Sequence, residues 1–132
     1  MGWRVAESRL LFVFMVAAMT PAARAGKRSM IKVSVFYPAG DSTKFDMDYY
    51  CKSHMPMVQR TLGAACKGTA VEQGVGGGTP GAPPTYTAMG HLLFDSVAEF
   101  QSAFAPHAEA IMADIPNYTN VQPVIQISEV KV

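Results

Sequence analysis

Residues 31–37 place Ile31, Val33, Val35 and Tyr37 on alternate positions, with Lys32, Ser34 and Phe36 between them. This period of two predicts a strand with one clearly apolar face. Pro38, Gly40 and Asp41 end it, and Phe45-Asp46 opens a helix in which Asp46 caps, Asp48 suits the positive dipole end and Phe45 staples onto Tyr50. The first helix is expected over 47–62, with Gly63 as its stop. Pro56 cannot donate to the carbonyl four residues back, so a kink is expected just after His54. A second strand follows over 66–75, then a glycine- and proline-rich loop over 76–84.

The third strand is expected over 86–94. Ser96 and Glu99 form a capping box that opens a second helix. Its stripe of Val97, Phe100, Phe104, Ala108, Ile111 and Ile115 has helical spacing, with Pro106 as a kink. A fourth strand over 121–130 contains Pro123, which suits an edge or an end. The order is β-α-β-β-α-β. It predicts an α+β, ferredoxin-like domain with a four-stranded antiparallel sheet and both helices on one face.

The other sheet face is left bare, and it is expected to hold Lys32, Ser34, Phe36, Met89, His91, Leu93, Gln122, Val124, Gln126 and Ser128. That mixture is too apolar for water and too polar for an ordinary core. It predicts a homodimer whose sheets face each other around a partly polar lumen, a dimeric α/β barrel.

The chain has 132 residues, 49% of them hydrophobic and 16% charged, enough apolar side chain for one packed domain and no more. Its net charge of +1 is unevenly spread. Residues 1–29 carry five basic side chains and one acidic, and the remainder carries six and nine, so a +4 leader precedes a body at −3. Such a body, without a Lys/Arg cluster, argues against nucleic acid as a partner. The leader has a basic start, an apolar run from Leu10 to Met19 and Ala23-Arg24-Ala25 before Gly26. Two readings stand: a secretory signal cut after Ala25, giving an exported protein, or an upstream extension of a cytoplasmic protein that starts at Met30. The ten-residue apolar run is too short to anchor the chain in a membrane.

The candidate chemistry centres on His54. Tyr50, His54, Val58 and Leu62 recur at intervals of four, which puts the imidazole on the buried stripe beside a tyrosine. There it suits a general base or acid near neutral pH, with Tyr50 holding a substrate oxygen. The competing reading is a core histidine bonded to a backbone carbonyl that Pro56 leaves free. His91 falls mid-strand on the bare face, and its plain alternative is pairing across an interface. Methionines such as Met47 and Met89 offer an adaptable apolar lining. Cys51 and Cys66 read as free thiols, and no metal-ligand spacing or bound cofactor is expected.

The runs FDMDYYCKSHMPMVQRTLG and DIPNYTN, with MIKVSVFYP ahead of them, resemble the EthD family, named for ethyl tert-butyl ether degradation. The likeness spans 30–132. It implies a dimeric α/β barrel and a signature cluster of Phe45, Asp46, Tyr49, Tyr50, His54 and Pro56. It also implies a role in oxidative catabolism of an apolar compound, with a cytochrome P450 system as partner by family analogy; members are often labelled reductases. On this reading His54 and Tyr50 are the candidate catalytic residues. Phe36, Met47, Tyr49, Met89 and His91 are candidates for binding a hydrophobic small molecule. A non-catalytic metabolite-binding or oxygenase-accessory dimer is the alternative.

Overall fold

The computed structural model describes residues 30–132; the leader, and with it both readings of the N-terminus, lies outside the described residues. Strand β1 (Ile31–Pro38) is followed by a helical arm made of α1 (Met47–Tyr49), a π-helical turn (Tyr50–His54) and α2 (Met55–Leu62). Strands β2 (Gly68–Gln73) and β3 (Tyr86–Phe94) form a hairpin. A second helical arm, α3 (Val97–Phe104) and α4 (Ala108–Ala113), leads to β4 (Val124–Glu129). The sheet order is β2-β3-β1-β4, antiparallel throughout, the α+β arrangement that the element order predicts.

The local signals act as expected. The Asp46 carboxylate accepts from the Tyr49 amide at 3.0 Å, and Ser96 Oγ accepts from the Glu99 amide at 3.1 Å, so each arm opens on a side-chain cap. Gly63 stops the first arm at φ 67°, a left-handed angle open to glycine at little cost. The expected kink takes the form of the π turn: the Met55 amide reaches Tyr50 O, five residues back, on the side where Pro56 offers no donor. Pro106 breaks the second arm into α3 and α4 through a 3-10 turn, Ala105–His107.

Two strand boundaries are tighter than the composition suggests. Cys66 is spent on the turn before β2, its amide donating to Gly63 O at 3.1 Å. Pro123 stands ahead of β4, so Gln122 falls in the connection and is not on the strand face where the alternation put it.

The helices cover one face of the sheet. Val33, Tyr37, Ala88, Phe94, Phe100 and Phe104 are all buried in this core, with ring centroids 5.1 Å apart for Phe94–Phe100 and 5.3 Å for Phe100–Phe104. Lys32, Ser34 and Phe36 point the other way. They pair with Leu93, His91 and Met89 on β3 and with Ser128, Gln126 and Val124 on β4, which defines the uncovered face. Among the described residues, no helix is long and apolar enough to cross a membrane.

Candidate functional site

The two signature runs clasp each other. Phe45 and Thr119 form an isolated antiparallel bridge, and the Asp46 amide donates to Tyr118 O at 2.8 Å. Thr119 Oγ1 donates to Lys44 O at 2.6 Å, while Asn120 Oδ1 accepts from the Lys44 amide at 2.8 Å. This clasp gathers an aromatic box of Tyr37, Phe45, Tyr49, Tyr50 and Tyr118. Edge-to-face packing of Tyr37 and Phe45 at 4.9 Å is typical of it, a geometry that matches ring edges to ring faces.

His54 sits inside the box, 5% exposed, stacked on Tyr50 at 5.4 Å and against Tyr118 at 4.7 Å. Its Nδ1 lies 2.9 Å from Asp114 Oδ2. Pro116 tightens the chain after α4 into a 3-10 turn (Ile115–Asn117), which turns the carboxylate back toward the imidazole. Asp114 Oδ1 accepts from Tyr49 Oη at 2.8 Å and from Asn117 Nδ2 at 2.9 Å. A carboxylate has only acceptor oxygens, so Nδ1 carries the proton and the Nε2 lone pair is left facing inward. Tyr118 Oη stands 3.5 Å from Nε2, at the outer limit of a hydrogen bond, and is itself bonded to Tyr37 Oη at 2.7 Å.

The protonation states follow from these surroundings. Burial lowers the His54 pKa below its ordinary 6.5, outweighing the opposite pull of Asp114, so the imidazole is neutral at pH 7. Burial pushes Asp114 up, but hydrogen bonds from Asn117, His54 and Tyr49 outweigh it and hold the carboxyl below 3.8. Burial raises Tyr37, Tyr50 and Tyr118 far above 10, so these hydroxyls keep their protons.

Stability should depend on pH accordingly. Both His54 and Asp114 bind protons less readily folded than unfolded, so each contributes stability that is present at high pH and lost on acidification. Melting temperature is expected to fall first below pH 6.5 as unfolded His54 protonates, and again below 3.8 for Asp114. Melts of wild type and His54→Gln from pH 8 down to pH 3 check this. The first fall should shrink in the variant, and an unchanged first fall would reject the assignment.

A cavity of about 60 Å³, lined in part by His54 and Tyr118, opens between sheet and helices. This is several times the roughly 10–15 Å³ that one water needs. Val33, Val35, Leu92, Phe100 and Ile111 are among its apolar lining, and His54, Tyr37, Tyr50 and Tyr118 are the lining side chains that carry polar atoms. Gly90 on β3 is part of the design: a Cβ built there overlaps Tyr50 Oη and stands 3.3 Å from its Cζ. Among the described residues, no three His, Cys, Asp or Glu side chains converge as metal ligands.

The residues singled out in the sequence divide between two places. His54 and Tyr50 meet at the cavity, and Tyr49 stands behind them, bonded to Asp114 and stacked on Tyr118. Met47 packs at the arm's start, its sulfur 3.7 Å from Cys51 Sγ, and does not line the cavity. Phe36, Met89 and His91 are on the uncovered face, separated from His54 by the sheet itself. His54 is bonded to a carboxylate and not to a carbonyl freed by Pro56, which corrects that alternative. Asp114, Tyr118 and Tyr37 are site residues that the sequence reading missed. The DIPNYTN run was the available signal, but nothing in it points to a histidine 60 residues earlier.

Fold and site together define a ferredoxin-like α+β protein with a histidine held over a small apolar cavity. The EthD domain matches residues 40–122, and the chain belongs to the EthD family. It is similar to the crystal structure of an EthD-like protein from Ralstonia eutropha JMP134, with 47% identity over 80% of this chain and 96% of that one, at a TM-score of 0.76. An ethyl tert-butyl ether d (EthD) family protein from Bacillus halodurans C-125 shares the fold at 17% identity, covering 77% of this chain and 99% of that one, with a TM-score of 0.55. No curated protein matches the chain.

Proposed function

We propose that the chain binds a small apolar molecule bearing one oxygen and moves a proton on it, with His54 as the base or acid. The observation that carries this is the imidazole, kept neutral by burial and tied at Nδ1 to Asp114, which leaves Nε2 unprotonated on a residue that lines an apolar cavity. In this role Tyr118, whose Oη stands 3.5 Å from Nε2, donates to the substrate oxygen. The chemistry is that of an isomerase or cyclase step. The name carried by the Bacillus relative, ethyl tert-butyl ether, agrees with a compact apolar substrate and a place in oxidative catabolism beside an oxygenase such as a cytochrome P450.

A carbon acid small enough for the cavity tests the reading. Wild-type protein in deuterated buffer is expected to exchange the α-protons of acetone or cyclopentanone faster than His54→Phe does, by about 100-fold or more. Equal rates in the two proteins, with the ketone still perturbing the His54 environment by NMR, would leave a non-catalytic binder or oxygenase accessory in its place.

The same reading includes a homodimer through the uncovered face, where Phe36, Met89, Leu93 and the half-exposed Val124 lie beside polar neighbours. A second copy offers the same mixed surface in return. Native mass spectrometry showing a single chain at high micromolar concentration would refute it.

A further inference from the structure

The uncovered face holds a hydrogen-bonded line that the cavity does not use. Ser34 Oγ lies 2.9 Å from His91 Nδ1, and His91 Nε2 lies 3.0 Å from Glu72 Oε1. The three come from adjacent strands. Ser34 and His91 are direct partners across β1 and β3, and Glu72 reaches in from β2. A carboxylate only accepts, so the Nε2 proton belongs to His91 and its Nδ1 lone pair receives the serine hydroxyl. Phe36 meets the imidazole edge-on at 6.4 Å and fixes its plane. Ser34 is 4% exposed and His91 9%, so the hydroxyl and its partner are shielded from bulk water, while Glu72 is largely exposed.

We propose that this line is a second reactive site, in which Ser34 is an acyl-accepting nucleophile, His91 its base and Glu72 the residue that positions His91. A serine is a weak nucleophile until an adjacent base takes its proton, and the base must be held in the right tautomer by a third group. Here both bonds are in place in a single tautomer. The nitrogens are used in the reverse order from a chymotrypsin-type triad, which the roles permit.

The substrate class follows from the surroundings. Phe36, Met89 and Leu93 offer an apolar flank on the same face, suited to the acyl chain of a small ester. Gln126 stands directly across β4 from Ser34, and Lys32 lies two residues away, about 7 Å along the strand. Gln126 Nε2 donates one N–H to Ser128 Oγ at 3.0 Å and keeps a second, so Gln126 and Lys32 are the donors that flank Ser34 on this face. In the reaction Ser34 Oγ bonds to the ester carbonyl carbon as its proton passes to His91 Nδ1. The carbon–alkoxide bond then breaks and the alcohol leaves with that proton. Water next attacks the acyl-serine, giving its proton through His91 back to Ser34 Oγ and releasing the acid.

This site does not depend on the His54 cavity, and its test is separate. Diisopropyl fluorophosphate is small enough to enter between two sheets. It should phosphorylate Ser34 in the intact protein, the phosphorus–fluorine bond breaking and the serine proton passing to His91. Peptide mass spectrometry should find the adduct on Ser34, and Ser34→Ala should lack it. His91→Phe is expected to slow labelling about 100-fold or more. Glu72→Gln, an exposed position whose change leaves the fold intact, should slow it at least tenfold. No adduct on Ser34 of the folded wild type overturns the proposal. So does a labelling rate that Glu72→Gln leaves unchanged, whether or not the His91 variant folds.

Discussion

Gly90→Ala will cost the protein about 1–3 kcal/mol of stability, the range for an added methyl in a packed interior. The new Cβ overlaps Tyr50 Oη and crowds Tyr50 Cζ, and Tyr50 is itself 2% exposed among Tyr37, Phe45, His54 and Tyr118. For the Cβ to fit, either the β3 backbone or the Tyr50 ring, stacked among its four neighbours, must shift. For a domain of about 100 residues each kcal/mol lowers the melting temperature by roughly 4–8 °C. The same shift should change the ring-current environment of the His54 carbons. Unaltered melting together with unaltered His54 resonances would show that Tyr50 is not held against the sheet as described.

Asp114→Asn separates tethering from packing. An asparagine fills the same space but brings an amide that can donate, so Nδ1 can become the acceptor and the proton can move to Nε2. Exchange of a bound ketone should then fall by about 100- to 10,000-fold, the span seen when a base loses its tautomer-fixing partner. Asp114 also pulls the His54 pKa upward against burial, so its loss should lower that pKa further in an NMR titration. A variant with wild-type exchange and an unmoved His54 titration would remove Asp114 from the mechanism.

The fold was largely legible because its signals are local. Alternation along β1, the Asp46 and Ser96 caps, the Gly63 stop and the breaks at Pro56 and Pro106 each act within a few residues, and each acts as its chemistry requires. The register also follows, since one apolar face on β1 fixes which face of β3 and β4 it meets. The site was legible only in part. His54 and Tyr50 share a helical face four residues apart, which periodicity reveals. Asp114 and Tyr118 join them through a tertiary turn that spacing cannot encode. Phe36, Met89 and His91 were grouped with His54 because both sets looked like pocket linings, yet strand alternation already implied opposite sides of the sheet from Tyr37 and Val35.

The clasp between residues 42–46 and 118–120 bears on how the molecule comes into being. It closes a separation of 75 residues at Lys44–Thr119, and the neighbouring His54–Asp114 bond closes one of 60. Loops of this length form late in folding, since their closure costs entropy before any contact rewards it. A nascent chain still short of Asp114 holds the histidine and the first strands but cannot orient the ring. Competence at this centre therefore arrives as a single event, once the segment from Asp114 to Asn120 has been made and latches onto the first arm.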